Sequence, residues 1–66
     1  MLTVVHIAPT RQAAEATKAR LEKEGLLVVV RAAEEGRPRA RIYYELLVPQ
    51  AEAEEALAVL NAPSKH

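Results

Sequence analysis

Sixty-six residues make one domain, and at that length folding withdraws only about 60% of the unfolded chain's surface from water. There is no cysteine, which excludes disulfides, thiolate metal sites and thiol catalysis together. Nine basic and nine acidic side chains balance to zero net charge, without the basic excess that marks a general nucleic-acid binder.

The core has to be assembled from Leu, Val, Ile and Ala, because Phe and Trp are absent and Tyr43 and Tyr44 are the aromatic residues. Alanines are abundant and bury little area each. A thin core in a chain this short points to self-association as the missing stabiliser.

The first predicted element is a strand over Leu2–Ile7, in which Thr3, Val5 and Ile7 alternate with Leu2, Val4 and His6. Pro9 ends it. The opening "MLTVVHIAPT" has no basic n-region and breaks at that proline, so it is not expected to act as a signal peptide. Thr10 is placed to cap a helix running to about Glu24, with Gly25 as the residue that terminates it. Ala13 or Ala14, Thr17 and Leu21 share its buried face. Arg11–Glu15, Lys18–Glu22 and Arg20–Glu24 stand four apart and are expected to pair on the solvent side.

A second strand is predicted from Leu26 to about Ala32. "EEGRP", Glu34 to Pro38, reads as a turn through its Gly36 and Pro38. The third strand, Arg39–Val48, alternates most cleanly: Ala40, Ile42, Tyr44, Leu46 and Val48 on one face, Arg39, Arg41, Tyr43, Glu45 and Leu47 on the other. Pro49 opens a second helix to about Leu60, where its missing N–H is harmless. The acidic residues Glu52, Glu54 and Glu55 suit that helix's positive end. Ala53, Ala56, Leu57 and Leu60 form its expected buried stripe. Asn61 and Pro63 close it, giving a single domain over residues 1–61 and a tail at 62–66.

The order βαββα predicts an α+β fold. A right-handed crossover makes the first two strands parallel, and the hairpin sets the third antiparallel, most simply between them. Two helices then cover one face of a three-stranded sheet, as in a truncated ferredoxin-like fold. The opposite face is left open, carrying Tyr43 and Leu47, in one of two phases Leu27 and Val29, and one of the two alternating sets of the first strand. An apolar open sheet face in so small a protein is expected to be an interface, most simply in a homo-oligomer, a dimer or trimer.

"VVHIAPTRQAAEATKARLEKEGLLVVVR" and, after the hairpin, "ELLVPQAEAEEALAVL" together resemble a small bacterial domain family of unknown function whose members are labelled signal-transducing proteins. The shared features are a first strand ending in a Pro-containing turn, an Ala-rich helix with "LEKEGL", a hydrophobic second strand, and "LVP" leading into an acidic helix. The likeness spans about Leu2 to Leu60. It implies a fold like one half of the PII-like ferredoxin arrangement and a role in regulation or ligand sensing, with no catalytic residues to carry over. The arginine-rich "GRPRARIYY" departs from the family pattern.

No catalytic constellation is present. His6 lies alone on a strand and His66 ends the chain, without metal-ligand spacing, so no metal or other cofactor is expected. The glutamate clusters sit in a turn and at a helix start, where solvation leaves them untuned for acid–base work. Two glycines cannot supply a phosphate-binding loop, and Ser64 is the single serine. An enzyme is not expected. The longest apolar run, Leu26–Val30, is far short of the roughly 20 residues that span a bilayer, and the expected compartment is the cytoplasm.

Four of the six arginines remain: Arg31, Arg37, Arg39 and Arg41. Arg39 and Arg41 share a face with Tyr43, and Arg31 is expected across from one of them. Together they form a candidate site for an anionic small ligand or an acidic protein partner, held by bidentate guanidinium contacts. Tyr43 offers a stacking surface, so nucleic acid is the alternative occupant. Glu34, Glu35 and Glu45 lie close enough in sequence to neutralise the cluster, which would leave an ordinary solvated hairpin.

Overall fold

The computed structural model describes residues 1–36 and 41–62. The chain forms β1 (Leu2–Ala8), α1 (Arg11–Glu22), β2 (Val29–Glu35), β3 (Arg41–Pro49), a short 3-10 turn (Gln50–Glu52) and α2 (Ala53–Asn61). The predicted α+β architecture holds. The sheet order is β1-β3-β2, with β3 antiparallel to both neighbours.

Helix α1 is bounded by side-chain and backbone devices that its sequence announces. The Thr10 hydroxyl accepts from the Ala13 N–H at 3.1 Å, satisfying one of the orphan donors of the first turn. At the other end the Leu26 N–H reaches the Leu21 carbonyl (3.3 Å) and the Gly25 N–H reaches Glu22 (2.9 Å), the paired bonds of a Schellman motif. That closure needs a left-handed residue, and Gly25 supplies φ +84°. Leu21 and Leu26 are both buried at this junction.

The core lies between the helices and one face of the sheet. Ala14 and Leu21 from α1 and Ala56 from α2 meet Leu46 and Val48 of β3, with Ala8, Leu26 and Val28 closing the sides. Among the described residues the largest fully buried side chains are Leu21, Leu46 and Val48. The expected reliance on small residues is visible here: alanines let both helices approach the sheet closely but bury little area.

Several boundaries and contacts differ from the sequence expectation. β2 begins at Val29 rather than Leu26 and runs through Glu34 and Glu35, which the sequence assigns to the turn. Leu26 and Val28 are nevertheless buried as loop residues leading into it. Of the three anticipated pairs on α1, Lys18–Glu22 forms at 3.3 Å. Arg20 instead turns away from Glu24 and donates through Nη2 to the carbonyls of Val59 (2.8 Å) and Ala62 (3.1 Å), at the C-terminus of α2. Arg11 stands over the Tyr44 ring, 5.9 Å from its centroid, rather than beside Glu15. On α2 the stripe is rotated: Leu57 is 45% exposed and Val59 packs against the core in its stead.

β1 carries the most consequential departure. Its register with β3 runs Leu2↔Pro49, Thr3↔Val48 and Val4↔Leu47, then resumes at His6↔Leu46, leaving Val5 as a bulge. A single inserted residue reverses the phase of everything after it. Ile7 therefore joins Leu2 and Val4 on the side away from the helices, while Val5 packs toward the core and Ala8 is buried in it. Strict alternation would have placed Ile7 with Thr3 and Val5.

Candidate functional site

The face of the sheet opposite the helices is the surface the fold leaves available. Register fixes what it carries. Leu47 on β3 lies between Val4 of β1 and Val29 of β2. These two side chains and their neighbours shield it, so Leu47 is 5% exposed although it faces away from the core, while Val4 and Val29 are each 39% exposed. Leu2 and Leu27 extend the patch at the same end, and Ile7 borders it further along β1. Of the two phases open for β2, the structure selects the one with Leu27 and Val29 outward and Val28 and Val30 inward.

Next along the face comes a charged row. Arg31 of β2 stands directly across from Glu45 of β3, and its guanidinium donates through Nε (2.9 Å) and Nη2 (2.6 Å) to Glu45 Oε1. Side-chain exposure is 59% for Arg31 and 15% for Glu45, so the pair is half in water and worth less than about 1 kcal/mol. Its importance is positional. Arg31 is engaged within the sheet rather than aligned with Arg41, because β3 presents Glu45 at that register and offers Arg41 opposite Glu35.

Arg41 and Tyr43 continue the same face toward the hairpin. With Glu35, Ile7, Pro9 and Ile42 they line an open concavity of about 530 Å³. Arg41 and Glu35 face each other in register but form no ion pair within 4 Å among the described residues. Arg37 and Arg39, also proposed from sequence, lie outside the described residues. The four-arginine cluster is thus represented here by Arg41 with Tyr43 beside it, and by an Arg31 already held by a carboxylate.

The acidic residues resolve into separate roles. Glu34 and Glu35 are exposed strand residues, and Glu52 Oε1 accepts from the Leu27 N–H at 3.2 Å, tying the loop before β2 to the 3-10 turn. No group of three or more His, Asp or Glu side chains converges into a metal site among the described residues. No helix among them is long and apolar enough to cross a membrane. On β1 the open face takes Leu2 and Val4 from one alternating set and Ile7 from the other, a mixture sequence reasoning did not foresee, since nothing in "LTVVHIA" marks which residue will bulge.

Comparisons with protein-family models, with curated proteins and with solved structures find no match for the chain. The likeness to the signal-transducing family therefore rests on the quoted sequence segments alone.

Proposed function

We propose that this chain is a small, non-enzymatic regulatory module of the cytoplasm that works by binding, with the open sheet face as its contact surface and a second copy of the chain as its first partner. The observation that carries this reading is the apolar patch of Leu2, Val4, Leu27 and Val29 gathered around Leu47, which no helix covers among the described residues. Burial of apolar area is the main source of association energy, and a 66-residue chain with few large buried side chains gains most from it. The signal-transducing resemblance is in keeping with a binding role.

A small anionic ligand or an acidic partner is the second reading, favoured by Arg41 standing beside Tyr43 at the mouth of the concavity. Nucleic acid is the weaker occupant of the same place, because Glu45 holds Arg31 and Glu35 lies across from Arg41.

Val4→Glu places a charge in the patch at an exposed edge position and tests the face directly. Light scattering is expected to show the unaltered chain heavier than one 7.2 kDa copy and Val4→Glu lighter than the unaltered chain, with circular dichroism confirming that the variant is folded. Equal masses for the two would remove the face as the contact surface. A thermal-shift series with inorganic phosphate, ATP and a single-stranded oligonucleotide tests the second reading, and an oligonucleotide effect that fades steeply with salt would select nucleic acid.

A further inference from the structure

Among the described residues β2 pairs with β3 on one side only, so alternate N–H and C=O groups along Val29–Glu35 have no strand partner there. The two edges of the sheet are not equivalent. β1 is broken by the bulge at Val5, a feature that discourages strand addition. β2 runs in uninterrupted register over all seven of its residues and contains no proline. An unbroken edge of that length is a template for another strand.

We propose that a second copy of the chain adds to this edge, the two β2 strands pairing antiparallel about a two-fold axis at Ala33. A two-fold axis normal to the sheet keeps the helices of both copies on one side and sets one residue against its own symmetry mate. The side chains choose which residue that is. Centred on Ala33, Arg31 of each copy faces the partner's Glu35, a pairing made twice. Centred on Ala32, Val29 and Val30 would face the partner's Glu35 and Glu34. Centred on Glu34, two glutamates would meet. Opposite charges directly across antiparallel strands stabilise and like charges destabilise, so Ala33 is selected.

That register also completes a pattern already half built in one copy. Reading across the open face, Glu45 and Arg31 of one chain are followed by the partner's Glu35 and the partner's Arg41, four strands with alternating sign. Within one chain Arg31 is joined to Glu45, whereas Glu35 makes no ion pair with Arg41 across from it among the described residues. The exposed Glu35 side chain stands at the edge position that this register sets against the partner's Arg31. The resulting six-stranded sheet sets the two apolar faces side by side. This contact goes beyond the face contact proposed above and is geometrically independent of it, and a stack of two such dimers through their faces would give a tetramer with dihedral symmetry.

Because the chain has no cysteine, a single engineered thiol reports on one contact. Facing Cα atoms at the axis would lie about 4.5–5.5 Å apart, within disulfide range. Under oxidised glutathione Ala33→Cys is expected to yield a covalent dimer as its main product. Adding Glu35→Arg, which sets an arginine against the partner's Arg31 twice, is expected to slow that cross-linking by about fivefold or more, and the milder Glu35→Gln by less. Val4→Cys serves as the reporter on the open face. Cross-linking at Ala33 with masses unaffected by Val4→Glu would leave the edge contact standing and the face contact failed. Cross-linking through Val4→Cys without Ala33→Cys would overturn the edge contact, as would a monomeric mass with no cross-linked product from Ala33→Cys.

Discussion

Arg20 offers a decisive perturbation because two readings of it make different forecasts. Spacing on α1 suggests an i, i+4 pair with Glu24, in which either partner's loss removes a few tenths of a kcal/mol. In the folded chain the guanidinium instead spans to α2, where Nη2 donates to Val59 and Ala62 at 2.8 and 3.1 Å. Those carbonyls sit at the C-terminus of α2, whose last turn contains no basic residue of its own. A cation there gains about 0.3–1 kcal/mol from the helix dipole, and charge-assisted bonds to the Ala62 carbonyl and to the Val59 carbonyl, which also accepts the Ala62 N–H at 3.2 Å, add to it, discounted because the side chain is exposed. The sum is about 1 kcal/mol. Arg20→Met, which keeps the aliphatic stem, should therefore lower Tm by about 4–8 °C in a domain of this size. Arg20→Lys should recover part of the loss, since it keeps a cation near the end of α2 but on a shorter side chain without the planar guanidinium. Glu24→Gln should be nearly silent, and the Arg20→Met/Glu24→Gln double-mutant cycle should give a coupling energy near zero. Calorimetry at a fixed protein concentration reads the unaltered chain and all four variants. Equal losses from the two single variants with a coupling of about 0.3–0.5 kcal/mol would refute the helix-bridging role.

Two further stability measurements follow from the core and its punctuation. Leu21→Ala empties a fully buried site between α1 and the sheet and should cost about 2–5 kcal/mol, a large share of the roughly 3–10 kcal/mol available to 66 residues. Leu57→Ala, at a position 45% exposed, should cost less than about 1 kcal/mol, and urea midpoints that ranked the two the other way would contradict the observed rotation of α2. Gly25→Ala should cost about 1–2 kcal/mol from its left-handed backbone alone, because an added Cβ meets nothing within 4 Å. Gly25→Asn should lose less, and a Gly25→Ala chain as stable as the original would show that the Schellman closure is dispensable.

The readable parts of this protein were those governed by local rules. Thr10 and Gly25 bounded α1 through the backbone donors and acceptors that helix ends leave unpaired. The alternation of "RIYYELLV" assigned Leu46 and Val48 to the core and Tyr43, Glu45 and Leu47 to the open face, because a strand's side chains point to opposite sides in turn. The βαββα order made strand 3 between the other two the simplest arrangement that a right-handed crossover and a hairpin permit, and that is the order found.

What the tertiary structure decided was where long side chains end and which strands stay in step. The destinations of Arg11, Arg20 and Arg31 depend on elements far away in sequence: the Tyr44 ring, the end of α2, and Glu45 across the hairpin. A flexible guanidinium has many partners within reach, and only the packed arrangement selects among them. The bulge at Val5 is of the same kind. It reconciles a strand that must bury Ala8 with a sheet edge that presents Val4, and a single unpaired residue moves Ile7 to the open face. The sequence by itself determined the elements and the face each central-strand residue would take. Folding alone determined that Arg31 would be held by Glu45 and that β2 would stay in step with β3 over all seven of its residues, because register and reach are properties of strands already set side by side.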